Sequence, residues 1–243
     1  MKIYKEQNVL DAAFERLEYA FTEFDNLYFS VSGGKDSSIM VQLAAKVARK
    51  MNKKFSVLYI DLEAQYRATI DHVKVLIDEC EDVIEDWYWC ALPLSLRNAV
   101  SVIQPKWICW DKKDKSKWVR QMPTGKYKKY VVNEDNYPEE WTWFERGMEF
   151  EEFILYFAQW FNEKHGGITG AGIGIRSDES LNRFSTIISN KKVRYKDKPW
   201  TTQVKFKHLQ NVYNFYPIYD WRTEDDWGAV AKLGLKFNEI YEL

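Results

Sequence analysis

The sequence predicts an α/β fold, a doubly wound and mostly parallel sheet of five strands with helices on both faces. Short apolar runs alternate with segments whose apolar residues recur at helical spacing. Runs of this kind are typical of strands that are buried on both faces of a parallel sheet, and their order suits right-handed β–α–β connections. The predicted strands are residues 26–31, 55–60, 82–89, 167–175 and 211–218.

Helices are predicted before the first strand and between the strands. The N-terminal segment has apolar residues at helical spacing between charges, which indicates an amphipathic helix and not a signal peptide. Similar patterns predict helices over residues 36–52, 67–80 and 223–231, and a further helix from about residue 178. We therefore expect one α/β domain over residues 1–243.

The middle of the chain departs from this alternation, and residues 105–165 are predicted to form a helical and irregular cap region inserted into the domain. Residues 105–130 carry nine basic and two acidic side chains, whereas residues 133–152 carry eight acidic and one basic. Two interpretations stay open. The two halves neutralise each other at a solvated surface, or they form a cap or a docking surface for a partner.

Composition excludes several classes of protein. The net charge of −1 gives no general attraction to nucleic acid or membrane, and no apolar run has the length of a membrane span. A cytoplasmic protein is therefore expected. The three cysteines, Cys80, Cys90 and Cys109, form no CxxC pair, which predicts reduced, mostly buried thiols and neither a zinc site nor an iron–sulfur cluster.

The loop Ser32-Gly33-Gly34-Lys35-Asp36-Ser37 lies between a predicted strand and a predicted helix. Its glycines permit positive φ and close backbone approach, and the helix N-terminus favours bound anions. The two serines add hydroxyl donors, and Lys35 can neutralise phosphate charge. Asp36 suits this site if it holds a Mg²⁺ that arrives with a nucleotide. The spacing is neither that of the mononucleotide P-loop nor that of GxGxxG.

This loop resembles the SGGxDS loop of the N-type ATP pyrophosphatases, the PP-loop superfamily. Within it the chain resembles the phosphoadenosine phosphosulfate (PAPS) reductase-like branch. Residues 57–61 followed by Thr69 are similar to its second strand and next helix, and residues 174–183 to its G-[IL]-R-x-x-[EQ]-S-x-x-R segment. Residues 216–227 are similar to its P-[IL]-x-x-W-x-x-x-D-[IV]-W segment, with Asp226 where an aliphatic residue is usual.

The resemblance implies a fold of the adenine-nucleotide α-hydrolase or HUP type, and an ATP-dependent reaction with Mg²⁺ that cleaves the α–β phosphate bond and adenylates an acceptor. Lys35, Asp36 and Arg176 are the expected catalytic residues, with Asp36 as the expected metal ligand. Arginine side chains suit phosphate because they bind it bidentately. The expected nucleotide-binding residues are Ser30, Ser32, Gly33, Gly34, Lys35, Asp36, Ser37, Asp61, Arg176 and Arg183.

Reduction of PAPS is not expected, because the branch uses a cysteine in a Glu-Cys-Gly-Leu-His segment and these residues hold no cysteine beyond Cys109. An alternative function is a nucleotide-binding regulatory subunit with a protein partner, since the most similar sub-branch works beside ParB-like partners. Another is binding of PAPS or adenosine phosphosulfate. A third hypothesis is nucleic-acid binding through residues 105–130 and the basic stretch 191–207, where Lys191, Lys192 and Arg194 could alternatively close over nucleotide phosphates.

Overall fold

The computed structural model describes residues 6–98, 102–189 and 192–242. The α-helices within these ranges are α1 (Val9–Glu23), α2 (Lys35–Met51), α3 (Arg67–Cys80), α4 (Phe150–His165), α5 (Leu181–Ile188) and α6 (Thr223–Leu233). The strands are β1 (Asn26–Val31), β2 (Phe55–Ile60), β3 (Ile84–Cys90), β4 (Ser95–Arg97), β5 (Lys106–Ile108), β6 (Val131–Val132), β7 (Thr169–Ile173), β8 (Thr201–Gln203) and β9 (Val212–Phe215).

The main sheet has the strand order β6-β3-β2-β1-β7-β9-β8, and all neighbours are parallel except β8, which is antiparallel to β9. The five predicted strands form its continuous centre, which confirms the predicted α/β fold with a mostly parallel sheet. The sheet is wider than predicted because β6 and β8 extend its edges. These strands have two and three residues, too few for a hydrophobic pattern to show.

The central strand β1 shows why the apolar runs are nearly continuous. Successive side chains of a strand point to opposite faces, so both faces need apolar residues when helices cover both. Tyr28 packs against Phe157 and Phe161 of α4, with ring centroids 5.3 and 5.0 Å away. Its neighbour Phe29 packs against Phe21 of α1 at 6.3 Å. Helices therefore cover the two faces of the sheet, as the doubly wound fold requires.

The region between β3 and β7 has two parts. The first, the described residues of 91–98 and 102–149, is largely irregular: it contains the antiparallel pair β4 and β5, two 3₁₀ segments, Lys112–Lys117 and Gly125–Tyr130, and the edge strand β6. The second is α4, which packs on the sheet itself through Phe157. The predicted cap of residues 105–165 thus contains a helix of the sheet's own layers, and the division into domain and cap stays a prediction.

Most of the charge in the irregular region is locally paired. Lys112 lies 3.8 Å from a Glu134 carboxylate oxygen and bonds Asp135, while Lys106 pairs with Glu149. Exposed pairs of this kind contribute little to stability. Lys126 and Lys129 pair instead with Asp78 of α3 and with Glu81, which follows α3, so the basic and acidic halves neutralise each other only in part.

The three cysteines are free thiols that lie inside the fold. Burial raises the pKa of Cys80 to about 12 and, with a smaller opposing hydrogen bond from the backbone at Leu94, that of Cys109 to about 12. Burial also raises the pKa of Cys90. No helix in the described part of the chain has the length and apolar character needed to cross a membrane.

Candidate functional site

The predicted phosphate loop connects β1 to α2 at the carboxyl edge of the sheet. Ligands of open α/β sheets bind at this edge. Gly33 has φ +76°, and a Cβ there would lie 2.7 Å from Thr69 Cγ2, so only glycine fits. The hydroxyl of Ser37 accepts a hydrogen bond from Ser32 N at 3.1 Å and lies 3.0 Å from Ser32 Oγ. The loop is therefore held in shape by its own hydroxyl groups.

The N-terminus of α2 opens on the loop, with Gly34 as its N-cap. A helix N-terminus carries a partial positive charge and directs N–H groups outward, which stabilises a bound anion. The strand β7 ends beside this turn. A Cβ on Gly174 would lie 2.8 Å from Ser37 Cα, so glycine is needed for the close approach. This approach brings the segment after β7, with Arg176, over the loop.

A cavity of about 260 Å³ lies against the loop. Its walls are formed by Ser32, Gly34, Lys35, Asp36, Ser37, Gly174, Arg176, Glu179, Arg183 and Tyr241. The structure thus brings the loop together with both arginines of the segment that the sequence singled out. The roles assigned to these residues stay predictions, but their shared position at one cavity is a structural fact.

Four charged side chains form a network behind the loop. Asp36 accepts hydrogen bonds from Lys35 Nζ at 2.8 Å and from Arg176 Nε at 2.9 Å, one at each carboxylate oxygen. Asp226 of α6 accepts a hydrogen bond from the same Lys35 Nζ, and its Oδ2 lies 3.3 Å from Arg176 Nε. Each cation of the loop network therefore contacts two carboxylates.

The two carboxylates have opposite pKa shifts. Burial acts to raise the pKa of Asp36, but hydrogen bonds from Lys35 and Arg176 outweigh it and lower the value. Burial and the nearby Asp36 charge raise the pKa of Asp226 to about 7, against the opposing effect of Lys35. Asp226 is fully buried, and its Oδ1 accepts no hydrogen bond from the described residues. The site therefore holds a costly buried charge.

Arg183 reaches the cavity from the first turn of α5. The Ser180 side chain caps this helix by accepting a hydrogen bond from Arg183 N at 3.2 Å. The Arg183 guanidinium pairs with Glu179 at 2.9 Å, and about two fifths of its side chain is exposed. Arg176 is only 7% exposed. The two predicted arginines thus differ, one fixed in the network and one at the open rim.

The C-terminal turn completes the wall of the cavity, which sequence patterns did not indicate. Asn238 is buried and donates hydrogen bonds to Gly33 O and Thr69 Oγ1, both at 3.0 Å. The Tyr241 hydroxyl accepts a hydrogen bond from Lys35 N at 3.1 Å. These contacts join residues 169 to 206 positions apart, so no local signal could have identified them.

Three predicted nucleotide-binding residues do not line this cavity. Gly33 lies within the loop, and its carbonyl accepts the hydrogen bond from Asn238. Ser30 lies within β1, paired with β2 and β7 on its two sides. Asp61, after β2, is fully buried and bonded to Arg120 and Trp89.

Two of the three basic residues that could close over phosphates, Lys192 and Arg194, bind backbone carbonyls in this structure. Lys192 donates to Thr186 O at 2.8 Å, and Arg194 donates to four carbonyl groups, among them Pro199 O at 2.9 Å. These contacts stabilise the segment between α5 and β8. Lys191 lies outside the described residues.

Residues 26–84, from β1 through the phosphate loop to the start of β3, match the family described as the phosphoadenosine phosphosulfate reductase domain. The matched segment contains the SGGKDS loop, so the resemblance predicted from the sequence is confirmed for this part of the chain.

Other proteins are similar over the whole chain. The Escherichia coli K12 protein named "Uncharacterized protein YbdN" is 41% identical over 247 residues, which are 100% of this chain and 57% of that protein. A crystal structure of PAPS reductase from Candida auris, a phosphate complex, covers 100% of this chain and 94% of its own, at 14% identity and TM-score 0.48. Candida glabrata FMN adenylyltransferase with ATP covers 99% and 62%, at 11% identity and TM-score 0.47.

Proposed function

We propose that this PP-loop protein binds ATP with Mg²⁺ and transfers the adenylyl group to an acceptor, releasing pyrophosphate. The observation that carries the proposal is the cavity at the carboxyl edge of the sheet. It combines a helix N-terminus, loop hydroxyl groups and the cations Lys35, Arg176 and Arg183. Such an arrangement suits a polyphosphate.

The chemistry follows from how these residues would hold the phosphates. The loop and Lys35 would bind the β- and γ-phosphates, and the arginines would hold the α-phosphate open to attack. An acceptor atom forms a bond to the α-phosphorus, and the bond from that phosphorus to the oxygen bridging the α- and β-phosphates breaks. The electron pair of the broken bond stays on that oxygen, which leaves as part of pyrophosphate. Catalysis would come from positioning and charge neutralisation.

Asp36 is the residue that fits a magnesium ion. Its carboxylate lines the cavity, and Mg²⁺ commonly binds one or two carboxylates together with substrate phosphates. The described residues contain no group of three His, Cys, Asp or Glu that could hold a metal alone. The ion would therefore arrive with the nucleotide and supply charge neutralisation at the leaving pyrophosphate.

The test is incubation of the protein with α-labelled ATP and Mg²⁺. We expect labelled AMP or a labelled acceptor together with pyrophosphate, and loss of both in Arg176→Ala. Arg67→Ala is the matched control, because Arg67 is an arginine exposed to solvent outside the cavity. Release of orthophosphate alone would contradict the proposal. Tight ATP binding in calorimetry without any product would instead support the regulatory subunit.

A further inference from the structure

Asp226 stands where the resemblance leads one to expect an aliphatic residue. An aliphatic side chain would bury apolar surface at no electrostatic cost. The carboxylate instead contacts Lys35 and Arg176, is fully buried, and leaves Oδ1 without a hydrogen bond from the described residues. Burying an unsatisfied carboxylate oxygen destabilises a protein. Packing alone does not account for this residue.

The consequence of Asp226 is a change in the charge of the pocket. The ionic groups at the cavity and in contact with it are three cations and three carboxylates. They are Lys35, Arg176, Arg183, Asp36, Glu179 and Asp226. With an aliphatic residue at position 226 the same set would carry one net positive charge. The pocket is therefore balanced before any ligand enters.

We infer that Asp226 makes the pocket selective for a metal-complexed nucleoside triphosphate over metal-free anions, including sulfated adenylates. The inference rests on the proposed function and specifies its ligand. A metal-free polyanion enters beside Asp36, which lines the cavity, while Asp226 lies buried behind it and shares the same loop cations. A divalent cation beside Asp36 would offset the resulting repulsion by its own charge, since Asp36 and the phosphates could both bind it.

The geometry explains why the protein cannot relieve the repulsion by moving Asp226. The residue lies in the first turn of α6, and none of its surface is exposed. Its two cationic contacts are themselves 8% and 7% exposed, for Lys35 and Arg176. The charge is therefore fixed and little screened by solvent, which makes its effect on a bound anion larger than that of a surface carboxylate.

The experiment compares binding by calorimetry at about pH 8, above the pKa of about 7 that burial and the neighbouring Asp36 give Asp226, so that Asp226 is mostly ionised. The ligands are ATP with Mg²⁺, ATP with a chelator, and adenosine phosphosulfate without metal. We expect the natural protein to bind ATP with Mg²⁺ at least about tenfold more tightly than either metal-free ligand. In Asp226→Val the ratio of the affinity for ATP with Mg²⁺ to the affinity for the metal-free ligands should fall to about threefold or less. The chief reason is that the metal-free ligands bind more tightly.

Two further variants keep the test decisive. Asp226→Asn removes the charge while keeping the shape, so it replaces Asp226→Val if circular dichroism shows that the valine variant does not fold. Glu224→Gln removes a charge from the same turn of α6 at an exposed position, and its metal preference is expected to match the natural protein.

The outcomes separate the inference from the proposed function. Metal-free binding in the natural protein as tight as binding with Mg²⁺ would overturn the inference, as would an unchanged preference in both Asp226 variants. Either result leaves adenylyl transfer in place. Failure of the natural protein to bind ATP under any of these conditions would refute the proposed function as well.

Discussion

Two carboxylates, Asp61 and Asp226, are completely buried near the carboxyl edge of the sheet, and their surroundings differ. Asp61 Oδ1 accepts hydrogen bonds from Glu63 N at 2.9 Å and from Arg120, and Oδ2 accepts one from Trp89 Nε1 at 2.7 Å. Asp226 contacts two cations through Oδ2 alone, and Oδ1 has no such partner in the described residues. Both carboxylate oxygens of Asp61 therefore have hydrogen-bond partners, whereas only one oxygen of Asp226 has partners among the described residues.

We infer from this difference that Asp61 stabilises the fold, whereas Asp226 acts on ligand binding. Asp61 and its neighbour Glu63 fix the irregular region to the end of β2: Glu63 accepts hydrogen bonds from Trp110 N at 2.6 Å and Val119 N at 2.9 Å. Buried polar groups in native proteins are generally paired in this way. An incompletely paired buried charge beside a cavity instead indicates a residue that serves ligand binding and not the stability of the fold.

Removing the satisfied carboxylate should have the largest effect on stability. Asp61→Ala leaves Arg120 and the Trp89 N–H without their buried partner, and breaking such a pair costs about 3–5 kcal/mol. Urea unfolding would measure the loss. Asp226→Asn should lower the free energy of unfolding by clearly less, because Lys35 and Arg176 keep Asp36 as a carboxylate partner. Equal losses in the two variants would contradict the distinction drawn between them.

His72 of α3 is a buried side chain whose imidazole has a hydrogen-bond partner in its neutral form. Its Nε2 lies 2.8 Å from Ser38 Oγ on α2, and burial lowers its pKa to about 4. Because the unfolded chain binds the proton more readily, stability should fall as pH drops from about 6.5 towards 4, by about 2–3 kcal/mol.

His72→Gln, which keeps a polar side chain, should remove this part of the pH dependence while retaining the rest of the acid unfolding. Denaturant titrations at several pH values would measure it. Identical slopes in the two proteins would show that the imidazole is not held neutral in the fold.

Tyr241→Phe should have a smaller effect, and the property it changes is the binding of an anion. The hydroxyl accepts the hydrogen bond of Lys35 N, so its removal leaves that N–H for a bound anion. We expect affinity for inorganic phosphate, measured by calorimetry, to rise by a few fold, as one neutral hydrogen bond allows. The exposed Tyr66→Phe serves as the control. Weaker binding in Tyr241→Phe would instead show that the hydroxyl bonds the anion directly.

The smallest effect is expected where charges are exposed. Lys129 pairs with Glu81 at 2.9 Å, and more than half of each side chain is accessible to solvent. Water and salt screen such a pair, so Lys129→Ala should leave the thermal midpoint unchanged within error. A clear drop in the thermal midpoint would show that this exposed ion pair stabilises the fold as the buried pairs do.

Sequence patterns predicted the parts of the fold that depend on local order. Apolar runs located five strands, and the glycines and serines located the loop that lines the cavity, because each signal lies within about ten residues. The pairing of Asp226 with Lys35 spans 191 positions, and the bond from Arg120 to Asp61 spans 59. No local signal around Asp61 could indicate that a distant arginine bonds it, and its role in nucleotide binding stays a prediction.

The buried cysteines have a practical consequence. Thiol reagents react with exposed thiolates, and all three natural thiols are buried with raised pKa values. The protein therefore supplies a nearly silent background for maleimide chemistry. A single cysteine introduced at Ile188, a partly exposed position on the helix that carries Arg183, could take a fluorescent dye without altering the natural thiols. That one label would let the rim of the cavity be followed in real time as nucleotide is added.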